Sequence, residues 1–129
     1  SVHVRRGGAV ALQIDRTPAG MRSTPTKFFG RTWHAPSGPF RLAQVTGAPI
    51  LPVFTARLDY AHHLIHIGEP MDVPRKATPT DIEQVAGASM AAVERFVRRF
   101  PTQWFNFAPH PLDEPRRPRA AAEPPRPPT

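Results

Sequence analysis

The clearest periodic signal lies late in the chain, where Ile82, Val85, Ala86, Ser89, Met90, Val93, Phe96, Val97 and Phe100 recur at intervals of three and four. Glu83, Glu94, Arg95, Arg98 and Arg99 mostly fall between them. That period predicts an amphipathic helix with one core-facing stripe. Thr80, followed three positions later by Glu83, has the spacing of a capping box and marks its start, and Pro101 marks its end. Gly87, inside the helix, costs about 1 kcal/mol relative to alanine, a cost that a close packing contact would offset. Residues 49–57 are hydrophobic nearly throughout and end in Arg57, the pattern of a central parallel strand. Pro52 lacks a ladder donor, so it needs an edge, a bulge or the strand start. Residues 63–67 predict an antiparallel return after a short interval. Upstream, residues 9–14 form a short apolar run closed by Asp15 and Arg16, which suits a buried strand. Residues 17–27 contain Pro18, Gly20 and Pro25 among polar residues and read as a loop, followed by a brief extended segment at Phe28, Phe29 and Gly30. Ser37 is an N-cap candidate with Pro39 in the first turn, opening a short helix from Phe40 to Val45 that stops at Gly47.

Strand, loop, helix, strand and long helix in that order predict an α/β domain with a mixed, mostly parallel sheet flanked by helices. In such sheets sites gather at the carboxyl ends of strands, where Asp15, Arg16 and Arg57 fall. The same three residues also suit a structural ion pair and solvated strand ends. The chain opens at Ser1, and its first eight residues read like the last turn of a helix ended by glycine, so the expectation is a fold entered partway, incomplete at its N-terminus.

Composition divides the chain in two. Its 129 residues suffice for one domain, expected over residues 1–108. Eight of its 18 prolines fall from Pro109 onward, interleaved with Arg116, Arg117, Arg119 and Arg126, which predicts a disordered Pro/Arg-rich tail over 109–129. Seventeen Lys and Arg against ten Asp and Glu give a net charge of +7. That balance favours a polyanion, an anionic membrane surface or a phosphorylated substrate. With no cysteine, disulfides and zinc ribbons are excluded. No apolar run approaches the roughly 20 residues that span a bilayer, so membrane contact by these residues is expected to be peripheral.

Taken in order, several short motifs resemble one family. They are Gly8, Ala9 and Val10 leading to Asp15 and Arg16; Phe28, Phe29 and Gly30; Ser37, Gly38 and Pro39 with Leu42 and Ala43; Thr46 through Val53; Arg57; and Pro101, Thr102, Gln103 and Trp104. Over residues 5–107 these resemble the second half of the bacterial lysophospholipid and lipid A type acyltransferases, the branch with the lauroyl and myristoyl transferases. The resemblance implies transfer of a fatty acyl group from an acyl carrier protein or coenzyme A thioester to a hydroxyl of a membrane lipid or glycolipid, such as a lipid A precursor. It implies work at the cytoplasmic face of the inner membrane, in contact with anionic lipid. It also implies a histidine general base in an H-x-x-x-x-D/E motif. Here His34, His62 and His66 are followed five positions later by Pro39, Ile67 and Met71, so no catalytic histidine is assigned, and the base is expected upstream of Ser1. Asp15, Arg16, Phe29, Gly30, Ser37, Gly38 and Arg57 are the implied substrate-binding residues. Arginine forks and exposed helix amides suit the phosphate of an acceptor or of phosphopantetheine.

Other readings are weaker. His62, His63, His66 and Glu69 invite a metal reading, but their spacing is loose and acyl transfer of this kind needs no metal, so no metal or cofactor is assigned. A basic nucleic-acid-binding module is the alternative from another class, yet no helix-turn-helix, aromatic RNA-binding signature or zinc motif accompanies the charge, and no nucleic-acid partner is expected. A catalytically inactive scaffold follows if no catalytic half exists. The basic helix face of Arg95, Arg98 and Arg99 suits anionic headgroups, and Phe28, Phe29, Phe40, Phe54 and Trp104 suit a core better than an acyl channel.

Overall fold

The computed structural model describes residues 2–105. Its order is α1 (Val2–Arg5), β1 (Ser23–Phe28), β2 (Arg31–Pro36), α2 (Gly38–Thr46), β3 (Val53–Arg57), β4 (His63–Ile67) and α3 (Pro79–Arg99), followed by a 3₁₀ turn at Pro101–Gln103. The expected α/β mixture is present, but the mostly parallel sheet is not. The described strands form two separate antiparallel pairs, β1 with β2 and β3 with β4. Each strand meets its chain neighbour through a short turn, and antiparallel pairing needs nothing longer.

The β1–β2 hairpin replaces residues 23–27 of the loop read over residues 17–27, while residues 17–22 are irregular as expected. Thr24, Thr26 and Phe28 are buried while Ser23, Pro25 and Lys27 are exposed, a period of two hidden by threonines standing at core positions. Pro25 is tolerated because β1 has a neighbour on one side only. Phe29 and Gly30, expected in an extended segment, make the turn instead. Both have positive φ, 49° and 74°, as a two-residue hairpin turn of the primed type requires. Glycine adopts this freely; Phe29 is held there from α3. Its amide donates to Glu94 Oε2 at 2.8 Å, and the Arg98 guanidinium lies 4.9 Å from its ring centroid. Glu94 is in turn paired with Arg98 at 2.7 Å.

Residues 9–14 are a second correction. They form no strand, residues 9–13 are exposed, and none of the six makes a backbone hydrogen bond to another described residue. Only Ile14 packs against the core. Of the strand expected over 49–57, Val53–Arg57 is regular, and it pairs with β4 rather than standing in a parallel sheet. Pro49 and Pro52 confine the regular ladder to the residues after them, although Ile50 still bridges Met71. The antiparallel return at His63–Ile67 is observed as expected.

The α2 helix ends at Gly47, whose φ of 72° is the left-handed cap glycine accepts. The α3 capping box lies two residues earlier than the sequence suggested: Thr78 Oγ1 accepts from the Asp81 amide at 3.2 Å, and Asp81 Oδ2 accepts from the Thr78 amide at 2.7 Å. Aspartate fills the role usually given to glutamate. The buried stripe of α3, Ile82, Ala86, Ser89, Met90, Val93 and Val97, meets Phe28, Trp33, Phe40 and Ala43 in one core. Phe96 stacks on Phe54 at 4.9 Å and ties the β3–β4 hairpin to the same helix. No helix among the described residues is long and apolar enough to cross a membrane. The Pro/Arg-rich tail, with its expected disorder, lies outside the described residues.

Candidate functional site

Two features stand next to each other in the chain: an apolar groove and a set of polar residues strapped together by the segment after α3, of which Arg57 ends β3 while Asp15 and Arg16 follow an irregular stretch instead of the expected strand. The groove has a volume of about 710 Å³. One wall is the irregular stretch through Val10, Ala11 and Leu12; the other is formed by α2 at Leu42 and Ala43 and by the run from Ala48 to Val53. Ser89 and Val93 of α3 also line it. Val10, Leu12, Leu51 and Val53 are exposed large apolar residues, so the groove offers unburied hydrocarbon to whatever enters it.

The polar residues begin where the groove lining stops. Ile14 lines the groove and Asp15 follows it. Arg16 donates to Asp15 through Nε at 3.2 Å and Nη2 at 2.7 Å, a bidentate fork. The Trp104 indole donates to Asp15 Oδ2 at 3.2 Å, and Arg16 Nη2 also reaches the Phe105 carbonyl at 3.2 Å. One residue back, the Gln103 side chain accepts from the Arg57 amide at 2.6 Å and donates to the Arg57 carbonyl at 2.7 Å, filling both backbone positions a neighbouring strand would fill. Asp15, Arg16 and Arg57 are therefore drawn to the same three residues, 103–105. The carboxylate–indole and amide–backbone contacts carry no signal in the sequence beyond the family-like pattern of Pro101 to Trp104.

The Arg57 guanidinium is turned to the β3–β4 turn, donating to the carbonyls of Asp59 at 3.0 Å and Tyr60 at 3.2 Å. Ser37 and Gly38 open α2. The Ser37 hydroxyl donates to the Arg22 carbonyl at 3.1 Å and does not cap the helix, leaving the exposed Gly38 amide without a side-chain acceptor among the described residues. Its partner thus differs from those of Arg57, and α2 reaches the groove through Pro39. Phe29 and Gly30 serve the turn of the β1–β2 hairpin. Of the histidines, His62 Nδ1 lies 2.8 Å from Asp59, and the His66 ring stacks on Phe96 at 6.2 Å. Among the described residues no three His, Asp or Glu side chains are grouped as metal ligands.

Asp15, like Asp59, Asp81 and Glu94, has a lowered carboxyl pKa, and it is the one that belongs to this cluster. Partial burial pushes its carboxyl up, but the Arg16 and Trp104 hydrogen bonds and the Arg16 charge outweigh this and hold it below the ordinary 3.8. A carboxyl depressed in the folded state adds stability that is fully present above its unfolded value and is lost as pH falls through the folded value. Asp15→Asn is therefore expected to cost about 1 kcal/mol at neutral pH, after screening of the half-exposed Arg16, and to soften the loss of stability below pH ~4. Urea titrations followed by tryptophan fluorescence at several pH values measure both effects.

An apolar groove and an arginine–carboxylate cluster thus adjoin each other in the chain at Ile14 and Asp15. The model of the bacterial lipid A biosynthesis acyltransferase family matches residues 1–110, and the chain belongs to that family. The family is one of acyltransferases in the biosynthesis of a membrane lipid. No curated protein matches the chain.

Proposed function

We propose that this chain holds the fatty acyl chain and the polar groups of both substrates for transfer from an acyl carrier protein or coenzyme A thioester to a hydroxyl of a membrane lipid or glycolipid, such as a lipid A precursor, at the cytoplasmic face of the inner membrane. The apolar groove carries the reading. Its volume of about 710 Å³ lies within the roughly 300–1,000 Å³ usual for small-molecule sites. Its lining is aliphatic along most of its length, as an alkyl chain requires.

Arg16, Arg57 and the Gly38 amide at the start of α2 supply donors for phosphate on the acceptor or on phosphopantetheine. Asp15 keeps Arg16 oriented. The general base comes from an H-x-x-x-x-D/E motif outside these 129 residues, since no histidine here precedes a carboxylate at that spacing. That histidine takes the proton of the acceptor hydroxyl as its oxygen attacks the thioester carbonyl. The tetrahedral oxyanion collapses to the ester and expels the thiolate, which recovers the proton.

Binding and catalysis thus separate. The purified chain is expected to bind myristoyl-coenzyme A saturably and to transfer none of it. Arg57→Ala is expected to weaken that binding roughly three- to tenfold, with the difference shrinking at high salt. Equilibrium dialysis across a salt series measures it. Unchanged affinity would remove Arg57 from the site, and acyl transfer by the chain alone would contradict the division of labour.

A further inference from the structure

Among the described residues, the apolar side chains on the outer face of the β3–β4 hairpin are left largely uncovered. Pairing places Val53 opposite Ile67, Thr55 opposite Ile65 and Arg57 opposite His63, while Phe54, Ala56, Leu64 and His66 take the other face. The inner face is anchored to α3 by Phe54 on Phe96. On the outer face Val53, Ile65 and Ile67 are 53%, 65% and 61% exposed. Alternation in a strand normally sends polar residues to solvent, and here two isoleucines and a valine take those positions. The hairpin tip continues the pattern, with Leu58 exposed and Tyr60 91% exposed.

We infer that this hairpin face is a docking surface for an anionic membrane. The six outward positions contain a cation, Arg57, and a histidine, and no carboxylate. The Arg57 guanidinium sits 5.6 Å from the Tyr60 ring centroid, which puts an amphipathic ring and a positive charge at the tip, beside the Asp59 carboxylate that His62 meets at 2.8 Å. The net charge of +7 draws the whole chain to such a surface. The apolar face also joins the groove, because Val53 belongs to both. A lipid chain leaving a bilayer at this face reaches the groove without crossing a polar band. This continuity favours a membrane over a protein partner and rests on the acyl-transfer reading of the groove.

Co-sedimentation of the full 129-residue chain with vesicles of phosphatidylglycerol and phosphatidylcholine tests the inference. Binding is expected to exceed that to phosphatidylcholine alone and to fall as salt is added. Ile65→Asp and Ile67→Asp are each expected to weaken it about tenfold, while Met21→Asp, at another exposed apolar position, leaves it unchanged. The Ile65→Ser/Ile67→Ser double variant guards against misfolding and is expected to weaken binding as well, with an unaltered thermal transition. Parent-like vesicle binding by these variants would overturn the inference, and so would a parent chain that ignores anionic vesicles. If the substitutions instead abolish self-association in sedimentation velocity and leave vesicle binding alone, the face belongs to a second copy. Failure of the groove reading would appear separately, as lost thioester binding with vesicle binding intact.

Discussion

Phe40→Ala is expected to bring the fold to the edge of stability. Phe40 is fully buried, in the core cluster that also holds Ala43, Ala86 and Met90. Truncating a buried phenylalanine removes its transfer free energy and leaves a cavity that the surrounding helices fill only in part, a cost of about 3–5 kcal/mol. Domains of this size are stable by only about 5–15 kcal/mol, so much of the margin disappears. Val45→Ala on the same helix is expected to stay within about 0.5 kcal/mol, since Val45 is exposed. Urea midpoints for the two variants should differ accordingly. Similar midpoints would mean that α2 does not dock on α3 through Phe40.

Ala11→Trp is expected to abolish binding of long acyl thioesters with little change in stability. Ala11 lines the groove from an exposed stretch that makes no backbone hydrogen bond to other described residues, so a large ring there displaces solvent rather than core. The indole occupies space an alkyl chain needs. Each methylene excluded from apolar contact forfeits about 0.8 kcal/mol, so displacing even four or five lowers affinity by more than a hundredfold. Short-chain thioesters should lose less. Titrations with decanoyl- and myristoyl-coenzyme A check this, with the thermal transition as control. A variant that loses stability and affinity together would place Ala11 in the fold instead.

The elements most legible in the sequence were those governed by local chemistry. The α3 stripe, the Gly47 stop and the β4 return follow from helix period, left-handed glycine and strand spacing, and each was readable from its own few residues. The β1–β2 hairpin was not, because Thr24 and Thr26 fill buried positions while Pro25 and Lys27 face out; threonine at a core position looks like a loop residue. The parallel sheet failed for a different reason. Residues 9–14 have the apolar content of a buried strand, but burial needs a partner on each side, and no described residue pairs with their backbone. Hydrophobicity alone cannot supply that neighbour.

The candidate site was legible in its residue types more than in its geometry. Asp15 and Arg16 were singled out as a strand end, and they form a bidentate pair. Nothing in the sequence pointed to Trp104 donating to Asp15 or to Gln103 clasping the Arg57 backbone, since these contacts join residues 46 and 89 positions apart. Phe29 and Gly30 were assigned to a substrate on likeness, and their positive φ values give them a structural task as well. The groove was missed because its walls come from three separated stretches, each of which reads by itself as core.

Photolabelling locates the acyl chain most directly. A myristoyl-coenzyme A carrying a diazirine at the end of its chain would be bound to the 129-residue protein, irradiated, and the adduct mapped by peptide mass spectrometry. Modification is expected at Leu42, Leu51 or Val93 and should be competed away by unlabelled thioester. Adducts spread over the surface, or unaffected by competitor, would contradict an acyl chain held in this groove.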